Sequence, residues 1–457
     1  MSRSLSQLFG LFFLLLTSWG AFADQPILYT VMGPQGQGVL RWVSATPTCP
    51  EVVWDRQAPS RMTLRAGIED VPMRSGMQAD QKSAKFELSA CEAVWPQGVQ
   101  LARVGNTVAK APKEKFQRIL IIADTGCRMK ASENAFQDCN DASAWPFANI
   151  IQSAALKKPD LVVHIGDIHY RESPCPADRA GCRNSPWGYG SDTWQAEFFT
   201  PAKALLHTAP WLFVRGNHES CARAGQGWFR YMDPSPWRSE RSCDLPDNDL
   251  IADYSRPYAL PINGHSQFVI FDSSATAGKS LSPDSLMFNN YQRQWRDVTQ
   301  LAGAKEHSIF LSHHPLLAIA PSKTKSEPKA GGNRGLLSVL TDVQQDRAWF
   351  EKISFLMHGH IHAFEALNFK SDHPSSFVLG NAGSMMEGVL PERLPSDFEV
   401  APHAVVESFT SQPGYGFALL EVSDQANAPW TLTEFDVQGR ALHVCTLRNQ
   451  KSSCAAP

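Results

Sequence analysis

The apolar residues of this chain follow two different rhythms. From residue 27 to about 108 they come in short runs rich in Val, Ile, Trp and Thr: Ile27–Val31, Val39–Val43, Glu51–Trp54, Met62–Arg65, Lys85–Leu88 and Val99–Val104. Pro and Gly clusters separate them, a pattern that predicts a small all-β sandwich. Ala111–Lys115 is polar and reads as a linker. Beyond it, strand-like runs alternate with helix-like stretches. The strands are Arg118–Ala123, Leu161–Ile165, Trp211–Val214, Gln267–Phe271, Ser308–Leu311, Ile353–Met357 and Phe377–Leu379. The helices are Ala142–Leu156, Asp192–Leu206 and Asn290–Leu301, and the alternation predicts an α/β unit. Tyr415–Val422, Trp430–Phe435 and Ala441–Leu447 read as closing strands. Residues 172–190, 220–249 and 320–335 are irregular, and a loop as long as the last is either a lid over a site or solvent-facing filler.

Five of the apolar runs end on polar residues that would make a poor core and a good metal-binding loop. In order they are Asp124-Thr125-Gly126, Gly166-Asp167-Ile168-His169-Tyr170, Arg215-Gly216-Asn217-His218-Glu219, Ser312-His313-His314-Pro315 and His358-Gly359-His360-Ile361-His362. The inventory suits hydrolysis of a phosphate ester. That reaction needs two cations to clamp the attacking and leaving oxygens, a carboxylate to bridge them, and imidazoles to complete the shells. His360 and His362 are spaced i, i+2, so an extended backbone points both to one side.

The ordered set resembles the calcineurin-like metallophosphoesterase superfamily, over roughly Arg118 to Gly383. The second motif, with Tyr170 three residues after Asp167, looks like the purple acid phosphatases. The resemblance implies a four-layer αββα sandwich of two mixed sheets over residues 116–450, preceded by the β-sandwich at 24–110. It implies Asp167 as the bridge, Asp124 and His362 on a first metal, and Asn217, His313 and His360 on a second. His313 is preferred to His314 because the family spacing is His-x-Pro. Many members carry histidine where this chain has Gly126, and the resemblance implies that Tyr170 replaces it as a phenolate ligand. That points to iron paired with iron, zinc or manganese. Thr125 departs from the purple acid pattern, which has tryptophan there.

The implied activity is hydrolysis of phosphate monoesters by metal-activated hydroxide. His218 would be the proton donor, Arg215 and His314 candidate phosphate contacts, and Glu219 an orienting group. Arg171, Arg223, His169 and His358 are further candidates or structural residues, and His164 reads as core. Two alternatives stay open: a phosphodiesterase acting on nucleotides or phospholipid headgroups, and a non-catalytic binding module.

Composition adds the setting. The chain has 457 residues, 43% of them hydrophobic, with a net charge of −3. That is ample for more than one core, and the absence of a basic stripe argues against nucleic acid as partner. A small phosphorylated substrate is the expected partner; the sequence leaves the oligomeric state open. Arg3, the apolar run Leu8–Leu16 and Ala21-Phe22-Ala23 read as an export signal over residues 1–23, so a secreted or periplasmic protein is expected, with no membrane span. Export makes disulfides of the ten cysteines. Spacing does not fix connectivity, but neighbours suggest Cys49–Cys91, Cys127–Cys139, Cys175–Cys182, Cys221–Cys243 and Cys445–Cys454. Cys127 is alternatively a metal ligand.

Overall fold

Strand Arg118–Ile122 shows how the core is divided. Its side chains alternate between faces, as in any strand. Leu120 and Ile122 pack with the helices Phe147–Ala155 and Thr200–Leu206, while Ile119 and Ile121 face a second sheet. All four are fully buried; truncating one to alanine would cost about 2–5 kcal/mol. The structure, a computed structural model, describes residues 26–73, 82–322, 328–344, 352–425 and 428–457. The expected export signal and the middle of the 320–335 segment lie outside the described residues.

The first sheet has eleven strands. Its centre is parallel: Arg118–Ile122 beside Leu161–His164, then Trp211–Phe213, then Ile27–Met32. The second has seven strands, with a parallel centre of Ser266–Phe271, His307–Ser312, Ile353–His358 and Ser376–Leu379. Ile119, Ile121, Val163 and Leu212 of the first sheet share one apolar core with Phe268, Leu311, Met357 and Phe377 of the second. Helices Leu286–Ala302 and Arg334–Gln344 cover the outer face of the second sheet, where Trp295 stacks on Phe271 at 4.4 Å. The result is the expected four-layer αββα sandwich. Asp124, Asp167, Asn217, His313 and His360 all follow the carboxyl ends of parallel strands, where open α/β sheets place their ligands.

Among the described residues of 27–110, Glu69–Val71 pairs with Ala84–Phe86 in a small separate sheet, and two facing sheets enclose Leu40, Trp42, Val52, Trp54 and Val104. One is four-stranded, Thr107–Lys110, Leu101–Val104, Glu51–Trp54 and Ser60–Arg61. The other is an extension of the eleven-stranded sheet, joined by parallel pairing of Val31 with Trp211. The linker at 111–115 therefore divides neither the sheet nor the whole core, since Tyr29, Val31, Val43 and Phe86 pack in one core with Leu120 and Phe147. The cysteines form the five pairs suggested by their neighbours, which removes Cys127 as a metal ligand. Among the described residues, no helix is long and apolar enough to cross a membrane.

Candidate metal centre

Three of the strand-end residues hold backbone conformations that L-residues avoid. Asp124, Asp167 and His360 have φ of 54°, 55° and 72°, each costing on the order of 1–3 kcal/mol unless the surroundings enforce it. The surroundings do. Asp124 donates its N–H to Gly166 O at 3.0 Å and Thr125 to Asp167 O at 3.1 Å. The buried Glu219 carboxylate accepts from the backbone N–H of Asp167, Ile168, His169 and Gly216 at 2.8–3.1 Å. Glu219 thus orients the Asp167 loop rather than a ligand side chain. Gly216 is needed for the close approach, since a Cβ there would lie 2.2 Å from Asp167 Oδ1.

Tyr170 sits at the middle of the cluster. Its hydroxyl lies 2.9 Å from Asp124 Oδ1, 3.0 Å from Asp167 Oδ2 and 2.9 Å from His362 Nε2. The phenolic proton can serve only one of the two carboxylates at a time, and Asp124 also draws the His362 imidazole upward against the effect of burial. Burial, then Asp124 and Asp167, push the phenol well above its ordinary value, so without a cation it stays protonated. At Gly126 a Cβ would meet Ile168 O at 2.5 Å and the Tyr170 ring at 2.8 Å. With Glu197 Oε1 at 2.7 Å as well, no side chain, a histidine included, has room at that position.

On the other side, His313 Nε2 lies 3.1 Å from Asp167 Oδ2, while its Nδ1–H donates to Ile165 O at 2.8 Å. Burial opposes charge on this ring, but Asp167 and Asp124 overcome it and push the imidazole up to about 9. Burial likewise opposes charge on Asp167, yet His313 and His218 hold its carboxyl well below the usual range. His360 Nδ1 lies 3.1 Å from Asn217 Oδ1, and His362 Nδ1–H donates to Met385 O at 2.5 Å. The structure thus brings Asp124, Asp167, Tyr170, Asn217, His313, His360 and His362 into one buried cluster. Oxygen and imidazole donors of this kind fit Fe, Zn or Mn. Ligand atoms of Asp167, His313 and His360 lie within 4.8 Å of one another, and His313 Nε2 is buried without a hydrogen bond. The residues fit a metal centre.

His218 stands beside it, its ring 3.8 Å from that of Tyr170. Its Nδ1 lies 2.8 Å from His169 O and 2.9 Å from Glu172 Oε1. These acceptors place a proton on Nδ1 and leave Nε2, 3.8 Å from Asp167 Oδ2, on the side of the cluster. Burial and Arg223 lower the imidazole, and Asp167 and Glu172 partly offset them. Arg223 pairs with Glu172 through Nε at 2.7 Å. His314 packs 4.3 Å from the His360 ring and bonds Ser273 Oγ through Nδ1 at 3.1 Å.

Arg215 corrects an expectation. It was placed by its motif as a phosphate contact, but its side chain turns away from the cluster. The buried guanidinium donates to Glu219 O at 2.7 Å and Ala252 O at 2.5 Å, and pairs with Asp253 and Asp272. Arg171 pairs with Glu197 at 2.8 Å. His164 bonds Thr125 Oγ1 at 2.9 Å, His169 lies between Tyr189 and Trp194, and His358 bonds Ser312 Oγ at 3.0 Å. Glu172 and Glu197 were not singled out by sequence. Glu197 accepts from the N–H groups of Cys127, Tyr170 and Arg171 at 2.6–3.0 Å and so fixes Tyr170.

A cluster of this make-up at the carboxyl ends of two facing sheets defines a metal-dependent phosphoric ester hydrolase. Residues 117–364, more than half of the chain, match the calcineurin-like phosphoesterase family, and the chain belongs to that family. Among solved structures it is similar to purple acid phosphatase PPD1 from seeds of yellow lupin (Lupinus luteus). The identity is 15%, 93% of this chain and 74% of that one are covered, and the TM-score is 0.56. It is also similar to PhoD, at 12% identity, 95% and 93% coverage and a TM-score of 0.56. At these identities the likeness is one of fold. No curated protein sequence matches the chain.

Proposed function

We propose that the chain is a dinuclear phosphate monoesterase exported to an oxidising compartment. Asp167 would serve both cations. Asp124, Tyr170 and His362 would hold one with it, and Asn217, His313 and His360 the other. The observation that carries this reading is the Tyr170 hydroxyl held among Asp124, Asp167 and His362, beside a Gly126 that leaves no room for histidine. A cation held by these residues would replace the phenolic proton shared between Asp124 and Asp167. When bound, the cations supply Lewis acidity for the phosphoryl oxygens and a lowered pKa for the attacking water.

The chain's own residues do the rest. Glu219 and Glu197 hold the Asp167 and Tyr170 loops by their backbone N–H groups, so the donors need no rearrangement as charge develops. His218, held through Nδ1 by His169 O and Glu172, would assist the departing alcohol oxygen as its imidazolium, with Arg223 Nη2 2.7 Å from Nε2. His314, packed 4.3 Å from the His360 ring, would be a phosphate contact. The five disulfides support the oxidising compartment, and N-terminal sequencing of exported protein should begin near Asp24.

The test is hydrolysis of a chromogenic phosphate monoester against the matching diester, with Asp167→Asn as control. Preference for the monoester, lost in the control, is expected. Preference for the diester would overturn the monoester assignment and keep the centre. Tyr170→Phe is expected to lose bound metal and any visible absorbance; unchanged metal content would remove Tyr170 from the ligand set.

A further inference from the structure

Arg128, Arg171, Arg215 and Arg223 stand around the centre, and the fold uses them differently. Arg171 and Arg215, with side chains 3% and 1% exposed, direct their guanidinium groups to Glu197 and to Asp253 and Asp272. Arg128 gives Nη1 to Glu387 and Nη2 to Glu133, a carboxylate for each nitrogen. Arg223 has a side chain 18% exposed, and its Nε and Nη2, one edge of the fork, share the single Oε1 of the buried Glu172. The same oxygen lies 2.9 Å from His218 Nδ1. Arg223 Nη2 also rests against the His218 ring, 2.6 Å from Nδ1 and 2.7 Å from Nε2. His218 Nε2 is in turn 3.8 Å from Asp167 Oδ2, so the guanidinium is two contacts from the carboxylate that would serve both cations.

The loop that carries Arg223 is tight. Ala224 N–H donates to His218 O at 2.9 Å, the N–H groups of Arg223 and Gly225 donate to Ser220 O at 2.9 and 3.0 Å, and Cys221–Cys243 fastens the segment. Arg223 and His218 are thereby held in a fixed relation. A guanidinium offers five N–H donors in a rigid fork matched to phosphate oxygens, and one carboxylate oxygen that also faces His218 draws on a single edge of it. A phosphate monoester, with a second pKa of about 6, brings nearly two charges on three terminal oxygens; a diester brings one charge on two. We propose that Arg223 contacts a terminal oxygen of the substrate's phosphoryl group and so selects dianionic monoesters over monoanionic diesters. The proposal rests on the phosphoesterase reading of the adjacent centre and deepens it.

Inorganic phosphate, the product common to all monoesters, is the probe. Its Kd for the metal-loaded protein, read by calorimetry, is expected to rise about 10–100-fold in Arg223→Ala, with metal content unchanged. kcat/KM for 4-nitrophenyl phosphate should fall by a similar factor, and that for methyl 4-nitrophenyl phosphate by less than about 3-fold. Arg223→Lys, which keeps the charge and loses the fork, should regain part of the loss. Because Arg223→Ala also takes the guanidinium from Glu172, the double variant Arg223→Ala/Glu172→Gln is compared with Glu172→Gln alone, and the weaker phosphate binding should persist. Phosphate bound equally by those two, a Kd unmoved in Arg223→Ala, or equal losses for both esters would make Arg223 only the counter-ion of Glu172 and leave the phosphoesterase reading standing. A wild type with no Asp167-dependent hydrolysis of either ester would overturn that reading and the contact with it.

Discussion

Two clusters of buried charge in this molecule are built from similar groups to opposite effect. In one, Arg41, Arg65, Arg230 and Arg241 meet Glu92, Asp233, Asp244 and Glu69 where the N-terminal sandwich packs on residues 225–244. Each guanidinium finds complementary acceptors. Arg65 alone bonds Phe229 O at 2.8 Å, Ser235 O at 2.7 Å and Glu92 at 2.9 Å. In the other, the metal centre, Asp124 and Asp167 both face the Tyr170 hydroxyl, Asp167 also faces His313 Nε2 at 3.1 Å, and three residues hold left-handed φ. A closed network of charge fastens the sandwich to residues 225–244. An open one is short of positive charge and takes it from cations.

The contrast is broken most severely at Asp167. Asp167→Asn should lower ester hydrolysis by about 10²–10³-fold or more. It should also lower metal-free stability above the carboxylate range, because, against the effect of burial, His313 and His218 hold the Asp167 carboxyl well below its ordinary value; hydrolysis unmoved in the variant would make the centre a structural cluster like the first. Arg65→Ala should separate the two effects. It takes the guanidinium donor from Phe229 O and Ser235 O and one partner each from Glu92 and Asp233, which keep Arg41 and Arg241, and should cost about 2–3 kcal/mol in urea unfolding, with kcat of the folded fraction unchanged. Glu172→Gln sharpens the border between the two kinds of cluster. It should lower kcat by about 10–100-fold without loss of metal, more for esters of poor leaving groups and with an altered pH profile; an equal drop for all esters would leave Glu172 a merely structural partner of Arg223.

The smallest effect concerns Glu365, a buried carboxylate outside both clusters. Its Oε2 accepts from Ile319 N–H at 3.0 Å and its Oε1 is unpaired. Burial raises its pKa to about 8. The folded state therefore binds a proton that the unfolded state releases above the ordinary carboxylate range. Stability from this group is present at low pH and falls as pH rises towards 8, with a slope of up to about 1.4 kcal/mol per unit. Glu365→Gln should flatten that slope in urea titrations between pH 5 and 8.

Much of this was legible in the sequence because strand ends carry their own signal. An apolar run stopping at Asp124, Asp167 or His313 marks both the strand and the group it delivers. Other features lacked such a mark. Strand Ser89–Val94 holds Cys and Ala where β-branched residues would have announced it. Helix Arg334–Gln344 buries Leu336, Val339 and Leu340 at helical spacing, and Asn333 caps it by accepting from Leu336 N–H at 2.9 Å. Both cues were present, but the polar segment before it masked them. Arg215 was misplaced because sequence proximity to Asn217 says nothing of where a long side chain turns. Glu172 and Glu197 reach the centre from irregular or helical segments with no spacing to betray them. The pairing of Val31 with Trp211 is set by partners far apart in the chain, which no local pattern reports.

The neighbours of strand Arg118–Ile122 carry a consequence for biogenesis. On one side it pairs with Leu161–His164, on the other with Gly416–Glu421, which lies almost three hundred residues further along. Such distant pairings form slowly and late. Until the last part of the chain arrives, the strand that delivers Asp124 is an open sheet edge, available to other chains. A nascent or truncated polypeptide can thus carry every proposed ligand residue, the last being His362, while the strand that delivers Asp124 is still unpaired on one side.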